Sequence, residues 1–216
     1  MQKLNTLFIG KVVLSFPKLP STNAYASELL AKSRPIEGTV ITTDYQTKGR
    51  GQIGSKWLSS AKNNLTCSVV LYPKFLQVRQ QFDLNIMVSL ALKDVVQVLL
   101  PENLIKIKWP NDIYADDKKI AGILIQNSLQ GTSIQHTVIG VGLNVKQIEF
   151  PSEIPNATSL QLLAPETEFA VETVLFRFCE ALEKRYLQLK HSKDKKIKKD
   201  YLEHLLGLGK ERTFET

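Results

Sequence analysis

Cysteine and long apolar runs are scarce in this chain of 216 residues. Its two cysteines, Cys67 and Cys179, lack the close Cys or His neighbours that a zinc site requires. We therefore expect both to be reduced residues of the core. The sequence also lacks an apolar run of 18 residues and a signal-like N-terminus, which together predict a cytoplasmic protein.

Acidic residues are outnumbered, since 28 Lys and Arg face 21 Asp and Glu. Much of the excess lies at residues 190–199, without the interleaved aromatic residues typical of a nucleic-acid-binding surface. This pattern favours a solvated basic helix, and a nucleic-acid partner is the alternative. The length and the apolar fraction of 43% fit one main globular domain.

Hydrophobic periodicity predicts an α+β chain. Helices are expected at residues 21–33, 77–100, 171–186 and 195–206. Strands are expected at residues 39–43, 65–71, 105–109, 119–126 and 133–145. Short turns make the last three strands antiparallel neighbours. The predicted fold is a mixed, largely antiparallel sheet with helices packed mainly on one face.

Residues 48–57, KGRGQIGSKW, place three glycines and several basic side chains between two predicted strands. Backbone amides in such a segment can approach an anion closely, so we predict an anion-binding loop. No Gly-Lys-Ser/Thr ending leads into a helix and no βαβ unit surrounds it, which excludes a P-loop and a dinucleotide fingerprint. A merely flexible surface loop is the alternative.

Residues 108–114, KWPNDIY, present Asn111 and Asp112 after a proline that breaks a strand. A plain turn would explain this pattern. Trp109 and the surrounding apolar strands instead suggest a partly buried carboxylate, which would need a cation or a metal as its partner.

Two further strands carry glycines that permit close approach of a ligand. In residues 118–126, KKIAGILIQ, Lys119 stands before Gly122, and protection of a sheet edge is the alternative role for this lysine. In residues 139–145, IGVGLNV, alternating glycines leave room on one face and Asn144 ends the run.

Five differently composed segments occur in a fixed order: STN at 21–23, GRGQxGxxW at 49–57, KWPND at 108–112, KxxGIL at 119–124 and GxGxN at 140–144. With NATSL at 156–160, this set resembles the biotin–protein ligase family over about residues 21–160. The resemblance implies the catalytic fold of that family and two half-reactions. Biotin and MgATP would form biotinyl-AMP and pyrophosphate, and biotin would then pass to a lysine of a biotin carboxyl carrier protein.

The resemblance also implies residue roles. Biotin contacts are expected from Ser21, Thr22, Asn23, Gln46, Gly49, Arg50, Gly51, Trp57, Lys119 and Gly122. ATP contacts are expected from Arg50, Lys56, Trp57, Asn111, Asp112, Lys119 and Asn144. Lys119 and Arg50 are the implied catalytic residues, since a compact ammonium can bridge the biotin carboxylate and the α-phosphate. Asp112 is implied to orient Lys119 or to hold Mg²⁺, and Asn144 to contact adenine.

Trp57 is expected to close the apolar side of the site, with a core tryptophan as the alternative. The sequence departs from the family pattern at Gln52 and Ser55, where basic residues are frequent. Anion binding should therefore depend more on Arg50, Lys56 and Lys119.

The expected organisation is a catalytic domain at 1–190, a helical connector at 191–209 and the start of a mostly absent SH3-like domain at 210–216. No N-terminal DNA-binding domain is expected. The expected partner is the carrier protein, with neither DNA nor a membrane, and a homodimer is left open. Two rival functions are a lipoate or octanoate ligase or transferase and a non-catalytic basic binding module. The 49–57 loop together with KWPND resembles biotin ligases and so favours a biotin ligase over a lipoate or octanoate enzyme.

Overall fold

The computed structural model describes residues 4–52, 55–191 and 195–209. Its strands are β1 (Val13–Phe16), β2 (Val40–Thr43), β3 (Asn64–Leu71), β4 (Ile105–Lys108), β5 (Asp112–Ala115), β6 (Lys118–Gln130) and β7 (Ser133–Asn144). Its helices are α1 (Thr22–Lys32), α2 (Phe82–Leu99), α3 (Leu160–Leu163), α4 (Val171–His191) and α5 (Lys195–Glu203). The strands form one sheet in the order β1-β2-β3-β7-β6-β5-β4. Only the β1–β2 pair is parallel among these strands, which confirms the predicted mixed, largely antiparallel sheet.

The two faces of the sheet are covered unequally. Val69 and Ile139 belong to the large core that contains α2 and α4, whereas Val70 and Val138 pack with Ala26 of α1 in a small second cluster. Since successive side chains of a strand point to opposite faces, α1 lies on the face opposite α2 and α4. Helices therefore lie mainly on one face, as predicted. The other face is only partly covered, which leaves part of the sheet open for a binding site.

Some predicted element boundaries were wrong. The helix expected at 77–100 is two helices, because the Gln77 and Gln80 side chains cap a short 3₁₀ helix before α2 begins at Phe82. The strands β1 and β5 and the short helix α3 were not predicted, and the expected direct pairing of the strands at 105–109 and 119–126 was wrong because β5 lies between them. The elements β1, β5 and α3 each have only four residues, and β5 lies in a polar segment that reads as a turn.

The basic stretch at 190–199 includes a solvated helix face. Lys196 and Lys198 are exposed, and Lys198 pairs with Asp83 of α2 at 3.1 Å, while Ile197 is buried. Residues 192–194 and the predicted SH3-like start at 210–216 lie outside the described residues. Because Ile197 belongs to the same core as α2, α5 packs onto the sheet-bearing unit. The boundaries expected for the catalytic domain at 190 and for the helical connector at 209 stay predictions.

Both cysteines are free thiols within the core, as predicted. Burial raises the pKa of Cys67 well above its usual range and that of Cys179 to about 12. No helix among the described residues is both long and apolar enough to cross a membrane.

Candidate active site

A cavity of about 160 Å³ lies on the α1 face of the sheet. Most of the predicted site residues line it: Ser21, Thr22, Asn23, Gln46, Arg50, Gly51, Lys56, Trp57, Asn111, Asp112, Lys119 and Gly122. Gly49 and Asn144 lie outside this lining. The walls also include residues that were not predicted as contacts: Gln52, Ser55, Ile123, Leu124, Gly140, Val141 and Gly142. The alternating glycines of β7 were the sequence signal for part of this set.

Glycines of β6 and β7 form the floor of this cavity. A Cβ on Gly142 would lie 2.2 Å from Cε2 of Trp57, and one on Gly122 would lie 3.2 Å from the same indole. A Cβ on Gly140 would lie 2.1 Å from Oδ1 of Asn23. Any side chain at 140 or 142 would therefore displace a neighbour. Trp57 packs against the cavity floor and not within the main core, which excludes the alternative of a core tryptophan.

One end of the cavity is polar because of how α1 begins. Ser21 is the N-cap of α1 and is buried, yet its hydroxyl makes no capping bond to the helix. The Gln46 side chain takes over part of that role, since its Oε1 accepts a hydrogen bond from the backbone N–H of Thr22 at 2.8 Å. This bond fixes the amide orientation, so Nε2 of Gln46 and the Ser21 hydroxyl are left to meet a ligand.

Asn23 serves to support that end of the cavity. Its Nδ2 donates to the carbonyl of Leu124 at 3.2 Å and to Oε1 of Gln126 at 3.0 Å, and its Oδ1 accepts from the Ser68 hydroxyl at 2.6 Å. Ser68 also lies 2.8 Å from the Thr22 hydroxyl. With its donors and its acceptor engaged, Asn23 positions the start of α1 on the sheet.

Lys119 and Asp112 form an ion pair at the opposite end of the cavity, with Nζ and Oδ1 2.7 Å apart. A β-bulge directs the lysine there. The β5–β6 register shifts after Ile113, so Ile120 enters the core and Lys119 points to the cavity face. Lys119 pairs with Tyr114 of β5 on one side and with Ala157 on the other, so it does not protect a sheet edge.

The backbone of Lys119 is held by a segment that follows β7. Its N–H donates to the carbonyl of Asn156 at 2.7 Å, and its own carbonyl accepts from the N–H of Thr158 at 2.9 Å. Asn144 is tied to the same segment, since its Nδ2 donates to the Thr158 carbonyl at 2.8 Å. The ammonium of Lys119 is therefore presented from a backbone fixed on both sides.

A second cavity of about 260 Å³ adjoins the first. The two cavities share Lys56, Trp57 and Lys119. The rest of the second lining is Leu58, Tyr114, Asn144, Glu153, Ile154, Pro155, Asn156 and Ala157. Asn144 is 4% exposed, and its Oδ1 has no hydrogen-bond partner among the described residues. This oxygen is therefore free to accept a hydrogen bond from a ligand in the second cavity.

The described part of the glycine-rich segment is a narrow hairpin. The N–H of Gly51 donates to the carbonyl of Ser55 at 3.0 Å, and the N–H of Trp57 donates to the carbonyl of Gly49 at 3.2 Å. A Cβ on Gly49 would lie 2.3 Å from the Trp57 carbonyl oxygen, so the closure requires glycine. The remaining loop glycine, Gly54, lies outside the described residues.

The described residues contain no group of three His, Cys, Asp or Glu side chains that could hold a metal ion. Asp112 is the carboxylate of the first cavity, and one of its oxygens pairs with Lys119. Trp109, which the sequence associated with this carboxylate, is 65% exposed and lines neither cavity. Mg²⁺ commonly uses one or two carboxylates together with phosphate oxygens and water. The donor set therefore fits a magnesium ion only if a nucleotide brings most of its ligands.

Lys119 lies where the two cavities meet, so its ammonium group can contact a ligand in either of them. A ligand with a polar head group could bind at the Ser21 end of the first cavity and reach past the Trp57 indole, which covers Gly122 and Gly142, toward Lys119. A second ligand in the adjoining cavity would meet the same ammonium. Two anionic groups could thus be held together, which is the requirement for a condensation between a carboxylate and a phosphate.

The model of the biotin/lipoate A/B protein ligase family matches residues 15–144 of this chain. The bifunctional ligase/repressor BirA of Bacillus subtilis is 34% identical over 212 residues, covering 95% of this chain and 63% of the relative. The chain thus spans less than two thirds of the length of that relative. The biotin–[acetyl-CoA-carboxylase] ligase of Mycobacterium tuberculosis is 33% identical over 195 residues, covering 88% of this chain and 69% of the relative.

Among solved structures, the biotin protein ligase from Aquifex aeolicus in complex with biotin and ATP is similar, with a TM-score of 0.79 and 28% identity. The similarity covers 91% of this chain and 79% of that protein.

Proposed function

Because this chain belongs to the biotin/lipoate A/B protein ligase family, we propose that it activates biotin with ATP and attaches it to a lysine of a biotin carboxyl carrier protein. Support comes from the ligases named among its relatives and from the Aquifex structure with biotin and ATP. The observation that carries the proposal is the position of Lys119, whose side chain lines both adjoining cavities.

In the first half-reaction, a carboxylate oxygen of biotin attacks the α-phosphorus of ATP. The bond to the bridging oxygen breaks and pyrophosphate leaves, which gives biotinyl-AMP. Lys119 would donate hydrogen bonds to the carboxylate and to an α-phosphate oxygen, and so hold the two anions in contact. Arg50 and Lys56, which line the first cavity, supply further positive charge near the developing oxyanion.

In the second half-reaction, the uncharged amine of the acceptor lysine attacks the acyl carbon of the adenylate. The carbon–oxygen bond breaks, AMP leaves, and the new amide nitrogen loses a proton to solvent. The pairing of Asp112 with Lys119 keeps the ammonium in place during both steps.

Biotin suits the first cavity better than lipoate or octanoate does. The cavity ends in the Ser21 hydroxyl and the Gln46 amide nitrogen, which offer acceptors and donors to a cyclic urea. A dithiolane ring or an alkyl chain would leave these polar groups without partners, which costs about 1–3 kcal/mol for each buried group. We assign Thr22, Gly51 and Gly122 to the same biotin subsite, with Asn23 as its support, and Gly49 to the closure of its loop.

The second cavity would receive the nucleotide. The buried Oδ1 of Asn144 can accept a hydrogen bond from the amino group of adenine, and Trp57 offers an aromatic surface beside it. Asn111 lies beside Asp112 in the first cavity. Asp112 would offer one oxygen to a magnesium ion that arrives with the phosphates, and the metal would supply charge neutralisation of those phosphates.

We also propose that the carrier protein is the partner and that neither DNA nor a membrane surface is needed for the reaction. A cytoplasmic location agrees with two buried free thiols. A non-catalytic basic module would not need an ion pair between two cavities. A gel-shift assay over a range of salt concentrations would identify such a module, since phosphate-driven binding weakens steeply with salt.

Incubation with biotin, MgATP and a biotin-accepting carrier domain, followed by intact-mass measurement, tests the proposal. We expect the mass of one biotin to be added to the carrier, and none when ATP is omitted. Lipoate and octanoate should give much less product at equal concentration. A carrier of unchanged mass, with no release of pyrophosphate, would refute the ligase function.

A further inference from the structure

Tyr114 lines the second cavity but not the first. Its strand, β5, buries Ile113 and Ala115 in the core, so the side chains of Asp112 and Tyr114 point to the opposite face, where the cavities lie. Tyr114 is also the partner of Lys119 in the β5–β6 register, which makes the two side chains neighbours on that face. Tyr114 therefore lies on the second-cavity side of Lys119.

The hydroxyl of Tyr114 is in contact with a cation. Nζ of Lys108 donates a hydrogen bond to Oη of Tyr114 at 3.3 Å and lies 5.2 Å from the centre of the ring. Lys108 is the half-buried last residue of β4, and it shares its face with Tyr114 because Ile107 enters the core. An ammonium group can only donate, so the tyrosine oxygen is the acceptor in this contact. The phenolic O–H is left to donate to a further group.

This Lys108–Tyr114 pair suits an anionic partner. A hydroxyl oxygen that accepts from an ammonium group has its own O–H polarised, because linked hydrogen bonds strengthen one another. Hydrogen bonds to a charged acceptor are also stronger than those between neutral groups. Two further ammonium groups, those of Lys56 and Lys119, belong to the lining of the same cavity. The positive charge on this side of the cavity favours phosphate oxygens as the acceptor.

The remaining walls of the second cavity suit a nucleoside better than phosphates. Several of them are apolar: Leu58, Ile154, Pro155 and Ala157. Asn144 contributes the buried acceptor Oδ1, and Glu153 contributes a carboxylate that would repel a phosphate group. Tyr114 carries the only hydroxyl among the described residues that line this cavity.

The geometry of the proposed reaction requires a site for the leaving group opposite the attacking carboxylate. In an in-line displacement at phosphorus, the attacking and leaving oxygens lie on opposite sides of the phosphorus atom. The biotin carboxylate comes from the first cavity and meets the α-phosphate at Lys119. The pyrophosphate must then depart on the second-cavity side, which is where Tyr114 lies.

We propose that Tyr114 binds the pyrophosphate leaving group and that Lys108 positions its hydroxyl. The O–H of Tyr114 donates a hydrogen bond to an oxygen of the β-phosphate while the bond between the α-phosphorus and the bridging oxygen breaks. The bridging oxygen departs with the electron pair, and the tyrosine keeps its proton because pyrophosphate leaves as an anion. This inference rests on the proposed ligase function, to which it adds a residue for the leaving group.

Pyrophosphorolysis of biotinyl-AMP, the reverse of the first half-reaction, tests this contact. An oxygen of pyrophosphate attacks the α-phosphorus, the bond from phosphorus to the acyl oxygen breaks, and ATP and biotin are formed. Tyr114→Phe removes only the hydroxyl. We expect this variant to raise the KM for pyrophosphate about 10–100-fold, the effect of losing one hydrogen bond to a charged group. An unchanged KM for pyrophosphate would overturn the proposal.

Transfer of biotin from preformed biotinyl-AMP to the carrier domain separates this role from a general disturbance of the site. Pyrophosphate takes no part in that step, so Tyr114→Phe should slow transfer far less than pyrophosphorolysis. Equal losses in the two reactions would overturn the leaving-group role. Tyr25→Phe is the matched control, since Tyr25 packs against Phe16 and lines neither cavity.

A double-mutant cycle tests the part of Lys108. Lys108→Met removes the ammonium group but keeps an unbranched apolar stem, and it should also raise the KM for pyrophosphate. Because Lys108 is proposed to act through Tyr114, the effect of Lys108→Met should be much smaller when Tyr114→Phe is already present. Full additivity of the two effects would overturn the positioning role.

Lys106→Met controls for the loss of positive charge alone. Lys106 lies on the same face of β4, but its Nζ donates to the Glu203 carbonyl at 3.3 Å. Equal rises of the KM for pyrophosphate in Lys106→Met and Lys108→Met would overturn the specific role of the Lys108–Tyr114 pair. Absence of adenylate formation in the unmodified protein would overturn the proposed function, whereas normal adenylate formation with an unchanged KM for pyrophosphate in Tyr114→Phe would overturn this inference alone.

Discussion

Replacing Lys119 by alanine removes the cation that the two adjoining cavities share. Its Nζ lies 2.7 Å from Oδ1 of Asp112, whose side chain is 19% exposed. The variant would therefore leave an unpaired carboxylate where the carboxylate of biotin and the α-phosphate are proposed to meet. Loss of one donor to a developing oxyanion typically costs about 10²–10³ in kcat. Charge repulsion adds to this, since two unit charges 4 Å apart interact by about 4 kcal/mol at an effective dielectric of 20.

The two contributions can be separated by a second substitution. The double variant Lys119→Ala with Asp112→Ala lacks both the bridge and the unpaired carboxylate. We expect adenylate formation to fall by at least about 10³ in the single variant, with a raised KM for both substrates. In the double variant the KM values should recover in part while kcat stays low, because the repulsion is gone but the bridge is still missing.

Pyrophosphate release at saturating biotin and MgATP is the assay, and Lys118→Ala is the matched control because Lys118 is an exposed neighbour on the same strand. The free energy of unfolding should change by only about 0–1 kcal/mol, since the Lys119–Asp112 pair is partly exposed. A Lys119→Ala rate within tenfold of the unmodified protein would refute the bridging role. Equal losses in Lys118→Ala and Lys119→Ala would refute it as well.

Three further predictions follow from the site and the core. Gly142→Ala should weaken biotin binding, measured by calorimetry, far more than Gly122→Ala. The added Cβ would lie 2.2 Å from the Trp57 indole at position 142 but 3.2 Å from it at position 122. Equal affinities of the two variants for biotin would contradict the proposed floor. The amides of Gly51 and Trp57, which close the loop hairpin, should exchange more slowly once biotin and MgATP bind, and equal rates would count against loop closure by ligand. At alkaline pH the free energy of unfolding should fall, because the unfolded thiol of Cys179 ionises near pH 9 while the folded one ionises only near 12. The free energy of unfolding should be lower by about 1.4 kcal/mol at pH 10. Denaturant titration should show that the free energy of unfolding of Cys179→Ala depends less on pH.

Local chemistry made part of the site predictable from sequence. Glycines at 49, 51, 122 and 142 are needed where backbone or an indole approaches closely, and such positions keep their glycine signature in a single sequence. The Ser-Thr-Asn segment at the start of α1 likewise predicted a helix start. Its unusual feature, an N-cap hydroxyl without a capping bond, depends on Gln46, which is distant in sequence.

Other parts depend on long-range pairing and could not be predicted. Strict alternation along β6 would place Ile120, and not Lys119, on the same face as Gly122. The bulge opposite β5 reverses this, and no local residue preference indicates it. Trp109, which the sequence analysis took as a sign of a partly buried carboxylate, is itself exposed because β4 ends at Lys108, although Asp112 is indeed partly buried.

The strand order explains why a short cavity can join distant motifs. Across the sheet, Ser68 of β3 pairs with Gly140 of β7, which pairs with Leu124 of β6, and β5 places Asp112 beside Gly122. From β3 to β5 there are three steps of about 4.8 Å, or about 14 Å in all. An extended ligand lying across the strands can therefore reach from the polar end to the ion pair.

Such a ligand crosses β7 and β6 beside the Trp57 indole, which packs onto the sheet only because Gly122 and Gly142 carry no side chain. A register slip of one residue between these strands would replace Gly122 on the cavity face by a side chain that now fills the core. The bulge lies in the pairing of β6 with β5. It therefore directs the Lys119 side chain to the cavity face while the β6–β7 register at Gly122 and Gly142 stays regular.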